Sequence, residues 1–150
     1  MTLIPGTRYL YLCDTYNHRV QVLDEFGVYQ LEWGSFGTGD YNFQFPTDLC
    51  TDSNGDVYVC DSDNNRIMVY DYEGLYLRRW GSFSETANSA FNNPTGISAD
   101  ELNFIYVSDS NNNRIQKFTS AGVFVTTWGS SGAGNSQFNI PAGSTVRVTP

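Results

Sequence analysis

The sequence predicts an all-β repeat protein, for three reasons. One unit of 47 or 48 residues occurs three times along the 150-residue chain. Within each unit, short runs of β-branched and aromatic residues have the composition of pleated strands. Between these runs stand Asp, Asn, Ser and Gly, which form tight turns. Repeats of roughly 20–50 residues that consist of strands and turns indicate a solenoid or a propeller.

Four positions of the unit define its register. They are the aspartate of the first turn, the arginine five residues later, the glycine of the second turn and a Trp-Gly pair. In the three copies these are Asp14, Asp61 and Asp109; Arg19, Arg66 and Arg114; Gly27, Gly74 and Gly122; and Trp33, Trp80 and Trp128. Because every series steps by 47 and then 48 residues, the three copies are expected to fold alike.

The middle copy, Asp56–Gly81, contains the elements of one unit. In order, they are the strand Val57–Val59, the turn Asp61–Asn65, the strand Ile67–Tyr70, the turn Tyr72–Gly74 and the strand Leu75–Trp80. Short polar side chains bond to the nearby backbone in the first turn. In the second turn, Gly74 is free to adopt a positive φ.

The third copy resembles the NHL repeat. The residues that carry this resemblance are Pro94–Ile97, Ile105–Ser110 and Asn112–Gln116, together with Asn17–Gln21 of the first copy. The Gly-His and Trp-Asp pairs of WD repeats are missing, as are kelch motifs. The resemblance implies a β-propeller, which in this family usually has six blades of four strands each.

The whole chain is expected to be one NHL-repeat array over residues 1–150. Its blades are predicted at 9–34 for blade one, 46–81 for blade two and 94–129 for blade three. Residues 1–8 have no strand pattern, so blade one lacks its innermost strand. A strand that aligns with the innermost strand of blade three has no blade after it; its residues are Gly143, Ser144, Thr145, Val146, Arg147 and Val148.

These features predict closure by homodimerisation. Three blades form an open arc whose exposed strand edges favour association. Propellers close with about four to eight blades, and two chains supply the six that are usual in the family. We expect the 143–148 strand of each chain to complete blade one of the other, which gives a closed ring. Two alternatives remain: a fragment of a longer six-bladed chain, and an excised or engineered half-propeller with no evolved function.

The residues that recur in every copy are interpreted as structural. Each Asp–Arg pair, Asp14 with Arg19, Asp61 with Arg66 and Asp109 with Arg114, is expected to bridge two strands across their turn. The tryptophans Trp33, Trp80 and Trp128 are expected to pack between adjacent blades. Stacking on a ligand is the alternative role for the tryptophans.

Charge and hydrophobicity argue against several kinds of partner. The formal net charge is −8, from 8 basic and 16 acidic residues. Nucleic acids, RNA included, are recognised by clustered basic groups, and anionic membranes attract basic segments. No apolar run reaches the roughly eighteen residues of a membrane span, and no signal peptide is visible. We expect a cytoplasmic protein with Cys13, Cys50 and Cys60 as free thiols.

The sequence predicts no catalytic residues and no cofactor. His18 is the only histidine, so it cannot build the multi-histidine zinc site of the amidating lyase that is related to this family. Asp48 stands where the other copies have Gly96 and Gly143, at a position expected to face the central channel. It is the one candidate metal ligand, but calcium takes about six oxygens or more. A metal-dependent propeller hydrolase or lyase is therefore the second function considered.

The first function considered is that of a non-enzymatic propeller that binds a protein or peptide, by analogy with the family. Its candidate partner face consists of Tyr16, Phe36, Tyr41 and Phe83, which are loop aromatics that do not repeat cleanly between the copies. Exposed aromatic residues are typical of protein-binding faces. Packing within the loops is the alternative role for these four residues.

Overall fold

The structure, a computed structural model, describes Leu3 and residues 6–147. These residues form three antiparallel sheets, which confirms the predicted all-β class. The first sheet contains β1 (Tyr9–Asp14), β2 (Arg19–Asp24) and β3 (Tyr29–Trp33). The second contains β4 (Pro46–Thr51), β5 (Val57–Asp61), β6 (Arg66–Tyr70) and β7 (Tyr76–Trp80). The third contains β8 (Pro94–Ala99), β9 (Ile105–Asp109), β10 (Arg114–Phe118) and β11 (Phe124–Trp128).

Blades two and three are therefore four-stranded, whereas blade one has three strands within the described residues. Single 3-10 turns at Thr15–Asn17 and Ser110–Asn112 lead into β2 and β10. In this described part of the chain, no helix has the length and apolar character needed to cross a membrane.

The three blades share one hydrogen-bonding register. In each of them the turn aspartate pairs with the repeated arginine: Asp14 with Arg19, Asp61 with Arg66 and Asp109 with Arg114. Each blade also has a register shift at the same place in its outermost strand pair, beginning at Val22, Val69 and Lys117. Corresponding side chains therefore occupy corresponding positions in all three blades.

The apolar core lies between the blades. Because successive side chains of a strand point to opposite faces of its sheet, each blade can pack on both sides. Val20 of blade one and Val59 of blade two belong to one cluster. Ile67 of blade two and Ile105 of blade three belong to the other. Enclosing each such side chain contributes about 1.5–3 kcal/mol.

The two ends of the array carry apolar side chains that no further blade of this chain covers. Leu10 and Leu12 in β1 occupy the positions of Val57 and Val59 in β5. The valines are fully buried, whereas both leucines are exposed. At the other end, the ring of Trp128 is also exposed. Each end thus presents a face that, at the internal joints between blades, is part of the core.

The segment after blade three begins in the same way as the segment that leads from blade two to blade three. The Ser110 hydroxyl donates to the carbonyl oxygen of Pro141 at 2.6 Å. In blade two, the Ser62 hydroxyl donates to the carbonyl oxygen of Pro94 at the same distance. The structure therefore brings residue 141 to the position at which an innermost strand starts.

The predicted strand at 143–148 is nevertheless not formed over 143–147, and Val148 lies outside the described residues. The Ser144 hydroxyl lies 3.1 Å from that of Ser98 in β8, so the segment runs beside the innermost strand of blade three. The prediction concerns pairing with a second chain and therefore stays a prediction, because a strand needs a hydrogen-bonded neighbour. In this fold that neighbour would be the second strand of a following blade.

Candidate interaction sites

Blade two holds its repeated arginine in a socket made by the preceding loop. Arg66 Nε lies 2.6 Å from Asp61 Oδ2, and both side chains are buried. The guanidinium also donates to the carbonyl oxygens of Thr38, Gly39 and Asn42 at 2.7, 3.0 and 3.0 Å. These carbonyls belong to the loop that joins blade one to blade two. One side chain therefore ties a turn, a strand and an inter-blade loop together.

Blade three contains the same socket. Arg114 Nε lies 2.7 Å from Asp109 Oδ2. Its guanidinium donates to the carbonyl oxygens of Thr86, Ala87 and Ala90 at 3.0, 2.7 and 3.0 Å. The three carbonyls align with those of blade two and again come from the loop before the blade.

In blade one the corresponding pair is open to solvent. Arg19 Nε lies 2.7 Å from Asp14 Oδ2, but the two side chains are 30% and 25% exposed. The Nη1 atom of Arg19 donates to Glu32 at 2.6 Å. Hydrogen bonds from Arg19 and Asn17 lower the pKa of Asp14, whereas burial raises the pKa of Asp61. The same sequence motif thus has two environments, depending on whether a loop covers it.

The repeated tryptophans lie at the joints between blades. A Cβ atom added to Gly74 would lie 2.5 Å from the ring of Trp33, and one added to Gly122 would lie 2.6 Å from the ring of Trp80. Each ring therefore lies against the second-turn glycine of the next blade. Trp128 has no following blade in the chain, and its ring contacts Tyr106 of its own blade.

The four loop aromatics proposed as a partner face have different surroundings. Tyr16, Phe36 and Phe83 are 84%, 65% and 63% exposed. The hydroxyl of Tyr41 instead accepts a hydrogen bond from the backbone of Tyr76, and its ring lies against the rings of Tyr70 and Tyr76. Tyr41 thus contacts blade two while it remains 47% exposed, and all four residues stay candidates for the face.

Two further residues join this face that the sequence did not single out as part of it. His18 Nδ1 accepts the backbone N–H of Phe45 at 3.2 Å. The His18 ring lies 5.0 Å from that of Phe36 and 4.7 Å from that of Phe45, and Phe45 lies 5.7 Å from Tyr16. We call these four residues (Tyr16, His18, Phe36 and Phe45) the aromatic cluster.

The aromatic cluster differs from the equivalent sites of the other blades in its residue types. In the second copy, the side-chain oxygen of Asn65 accepts a hydrogen bond from the backbone N–H of Asn93. In the third copy, the side-chain oxygen of Asn113 accepts one from the backbone N–H of Ile140. These pairs stand at the positions of His18 and Phe45. The backbone hydrogen bond is thus the same in all three copies. The departure of residue 18 from asparagine was the signal in the sequence that could have identified the cluster.

Asp48 joins two blades. Its Oδ1 accepts the backbone N–H of Leu49 at 2.9 Å, and its Oδ2 accepts that of Ile97 in blade three, also at 2.9 Å. Both oxygens are therefore used by backbone donors. Across Leu3 and residues 6–147, no three His, Cys, Asp or Glu side chains are grouped so that they could hold a metal ion.

Comparison with known families and structures agrees with this architecture. The NHL repeat model matches residues 43–70 and 91–118, and these two segments contain the buried Asp–Arg pairs of blades two and three. No curated protein matches the sequence significantly.

Three solved structures illustrate the similarity in fold. A streptogramin B lyase is 20% identical with a TM-score of 0.61, and the match covers 91% of this chain and 41% of the lyase. Catalytically inactive virginiamycin B lyase from Staphylococcus aureus with quinupristin is 17% identical with a TM-score of 0.61, and the match covers 84% of this chain and 39% of the lyase. Apo AztD from Citrobacter koseri is 16% identical with a TM-score of 0.58, and the match covers 89% of this chain and 34% of AztD. The chain thus spans about two fifths of the length of these lyases.

Proposed function

Because the NHL repeat model matches segments of blades two and three, we propose that this chain is an NHL-repeat protein and a non-enzymatic propeller scaffold that closes into a six-bladed ring with a second copy. On the face formed by its inter-blade loops, the ring binds a protein or peptide. We further propose that it works in the cytoplasm and needs no cofactor. The observation that carries the proposal is the repetition of one blade-to-blade joint, which leaves a complementary face open at each end of the arc.

The complementarity follows from the repeat. One end offers the exposed ring of Trp128, which at the other joints lies against a second-turn glycine. The other end offers Gly27, where an added Cβ atom meets no neighbouring atom within 4 Å. A second copy placed by the same rotation as the internal joints brings these two groups together. Because both ends are used in the same way, the assembly is closed and discrete.

Light scattering after size-exclusion chromatography tests the assembly. We expect a mass of about twice the 16.8 kDa of one chain, because two arcs of three blades complete the ring. A stable, folded monomer at high protein concentration would contradict this part of the proposal. Large, polydisperse particles would instead indicate a fragment of a longer propeller.

The aromatic cluster supports the choice of partner. Tyr16 and Phe36 expose most of their surface beside a ring system that is held by His18. Aromatic residues of this kind anchor protein and peptide ligands. The net charge of −8 favours partners that carry basic residues, since opposite potentials speed association.

Selection from a random peptide library tests the binding face. We expect enriched peptides to be basic and to lose binding to the Tyr16→Ser/Phe36→Ser double variant. Leu102→Ser is the matched control, because Leu102 is equally exposed but lies in the turn between β8 and β9, at the opposite end of the strands. Peptides that bind both variants equally would place the interaction elsewhere.

A metal-dependent hydrolase or lyase is the competing function. The solved lyases favour it only through a common fold, at 17–20% identity. The one histidine of the chain, His18, already accepts a backbone hydrogen bond. Saturable stabilisation by a divalent cation would support this alternative over the scaffold.

A further inference from the structure

Of three equivalent arginine sockets, two are filled by a loop and one is open. Arg66 and Arg114 each donate to three carbonyl oxygens of the loop that precedes their blade. Arg19 has its aspartate at the same distance, but Glu32 takes its Nη1 atom. A guanidinium makes five N–H donors available in a planar fork, so Arg19 is a receptor that lacks its usual loop.

Residues 6–147 also contain one loop of this type with no blade after it in the described part of the chain. It spans residues 129–140 and has the conformation of the loop that fills the socket of Arg66. In that loop, Gly37 N donates to Phe43 O at 3.1 Å and Asn42 N to Gly39 O at 3.3 Å. In the 129–140 loop, Gly132 N donates to Phe138 O at 3.1 Å and Gln137 N to Gly134 O at 3.1 Å.

The anchoring of the two loops is also equivalent. A Cβ atom added to Gly129 would lie 2.6 Å from the ring of Phe138, and one added to Gly34 would lie 2.6 Å from that of Phe43. The 129–140 loop is therefore shaped for an arginine socket before any socket is present. A preformed loop loses little conformational freedom when it binds.

We infer that the guanidinium of Arg19 binds the backbone carbonyl oxygens of Ala133, Gly134 and Gln137 in a second copy of this chain. These residues align with Thr38, Gly39 and Asn42, and with Thr86, Ala87 and Ala90, of the filled sockets. The inference rests on the proposed ring closure and names the contact that determines its register. Glu32 holds Arg19 in the single chain and is displaced by the arriving loop.

The same placement extends two other contacts of the internal joints to the seam. At the internal joints, the hydroxyl of Tyr11 donates to Tyr72 O at 2.7 Å, and that of Tyr58 donates to Ser120 O at 3.3 Å. The next member of this series is Tyr106, whose hydroxyl donates to Asp100 at 2.9 Å, as that of Tyr58 also does to Asp52 at 3.0 Å. In the second copy it would face the carbonyl of Glu25. Trp128 likewise meets Gly27 of the second copy. One placement of the second copy, by the rotation that relates neighbouring blades, thus forms the seam contacts of Arg19, Tyr106 and Trp128 together.

Glu32 is the side chain that occupies the open socket in one chain. The positions that correspond to Glu32 in the other blades are Arg79 and Thr127, so an acidic residue occurs there only beside the open arginine. The Arg19–Glu32 pair is partly exposed, and such pairs contribute little to stability. Exchanging it for carbonyl contacts therefore costs little.

Equilibrium sedimentation of Arg19→Ala tests the inference. We expect its dimer dissociation constant to rise about 10- to 100-fold, because hydrogen bonds to a charged group are lost at each seam. The matched control is Glu32→Gln, which removes the competing carboxylate and leaves the socket intact. Its dissociation constant should be equal to or lower than that of the unmodified chain.

The outcomes separate the two proposals. An unmodified chain that stays monomeric overturns both the ring closure and the seam contact. A dimer that Arg19→Ala leaves at full strength overturns the seam contact alone.

Hydrogen–deuterium exchange of the unmodified chain supplies a second test that does not depend on a variant. We expect the backbone amides of residues 130–138 to exchange more slowly at protein concentrations above the dimer dissociation constant than at concentrations below it. The equivalent loop, residues 82–91, already fills a socket within the chain and should exchange at one rate under both conditions. A dimer with unchanged exchange at 130–138 would also overturn the contact.

Discussion

Within blade two, Arg66 Nε lies 2.6 Å from Asp61 Oδ2, with both side chains buried beneath the loop that leads from blade one. Arg66→Ala would leave the Asp61 carboxylate without its cation and would take one donor from each of three backbone carbonyls. Removal of one partner of a buried pair costs about 3–5 kcal/mol. We expect a fall of this size in the free energy of unfolding, measured by urea denaturation.

Arg79→Ala is the control for this prediction. Arg79 pairs with Asp40 at 3.2 Å, but both side chains are largely exposed, and exposed pairs contribute about 1 kcal/mol or less. If the two variants lose equal stability, the buried socket has no special role in the fold.

The joint between blades one and two depends on the absence of a side chain at Gly74. An added methyl group would lie 2.5 Å from the Trp33 ring, and overpacking of this kind costs about 1–3 kcal/mol. Gly55→Ala is a matched control, since Gly55 has φ +87° against +85° for Gly74 but has a nearest neighbour at 3.8 Å. Thermal melts should show a larger fall in melting temperature for Gly74→Ala than for Gly55→Ala. Equal falls would mean that backbone strain alone accounts for the effect.

Calcium should leave the melting temperature unchanged. Both carboxylate oxygens of Asp48 already accept backbone N–H groups, those of Leu49 and Ile97. A calcium ion takes about six to eight oxygen ligands, and Asp48 alone cannot supply them. Differential scanning fluorimetry over a calcium titration measures this. A saturable rise that Asp48→Ala abolishes would establish a cation site.

The three thiols should react slowly in the folded protein. Burial, followed by the charge of Asp48, raises the pKa of Cys13 to about 12, and burial also raises the pKa values of Cys50 and Cys60. Because the thiolate is the reactive form, alkylation by iodoacetamide near pH 8 should be at least about tenfold slower than in urea. Mass spectrometry counts the modified residues. Rapid labelling before unfolding would show that the blades open locally.

The sequence by itself was sufficient for the local elements. The turn between β5 and β6 follows from the polar run Asp61–Asn65, and β5 and β6 follow from the β-branched and aromatic residues on each side of it. Turn chemistry and strand propensity act over a few neighbouring residues. A repeat in sequence therefore became a repeat in register, which is visible in all three blades.

Only the tertiary structure decided which copies of a motif are covered. Arg19 and Arg66 have the same place in the repeat, yet the first is partly exposed and the second is buried. The difference comes from a loop more than twenty residues away along the chain, in blade two. Likewise, only the fold showed that Tyr41 accepts a hydrogen bond from blade two, although Tyr41 and Phe36 are both exposed. Burial depends on neighbours that are distant in sequence, and so no local pattern contains it.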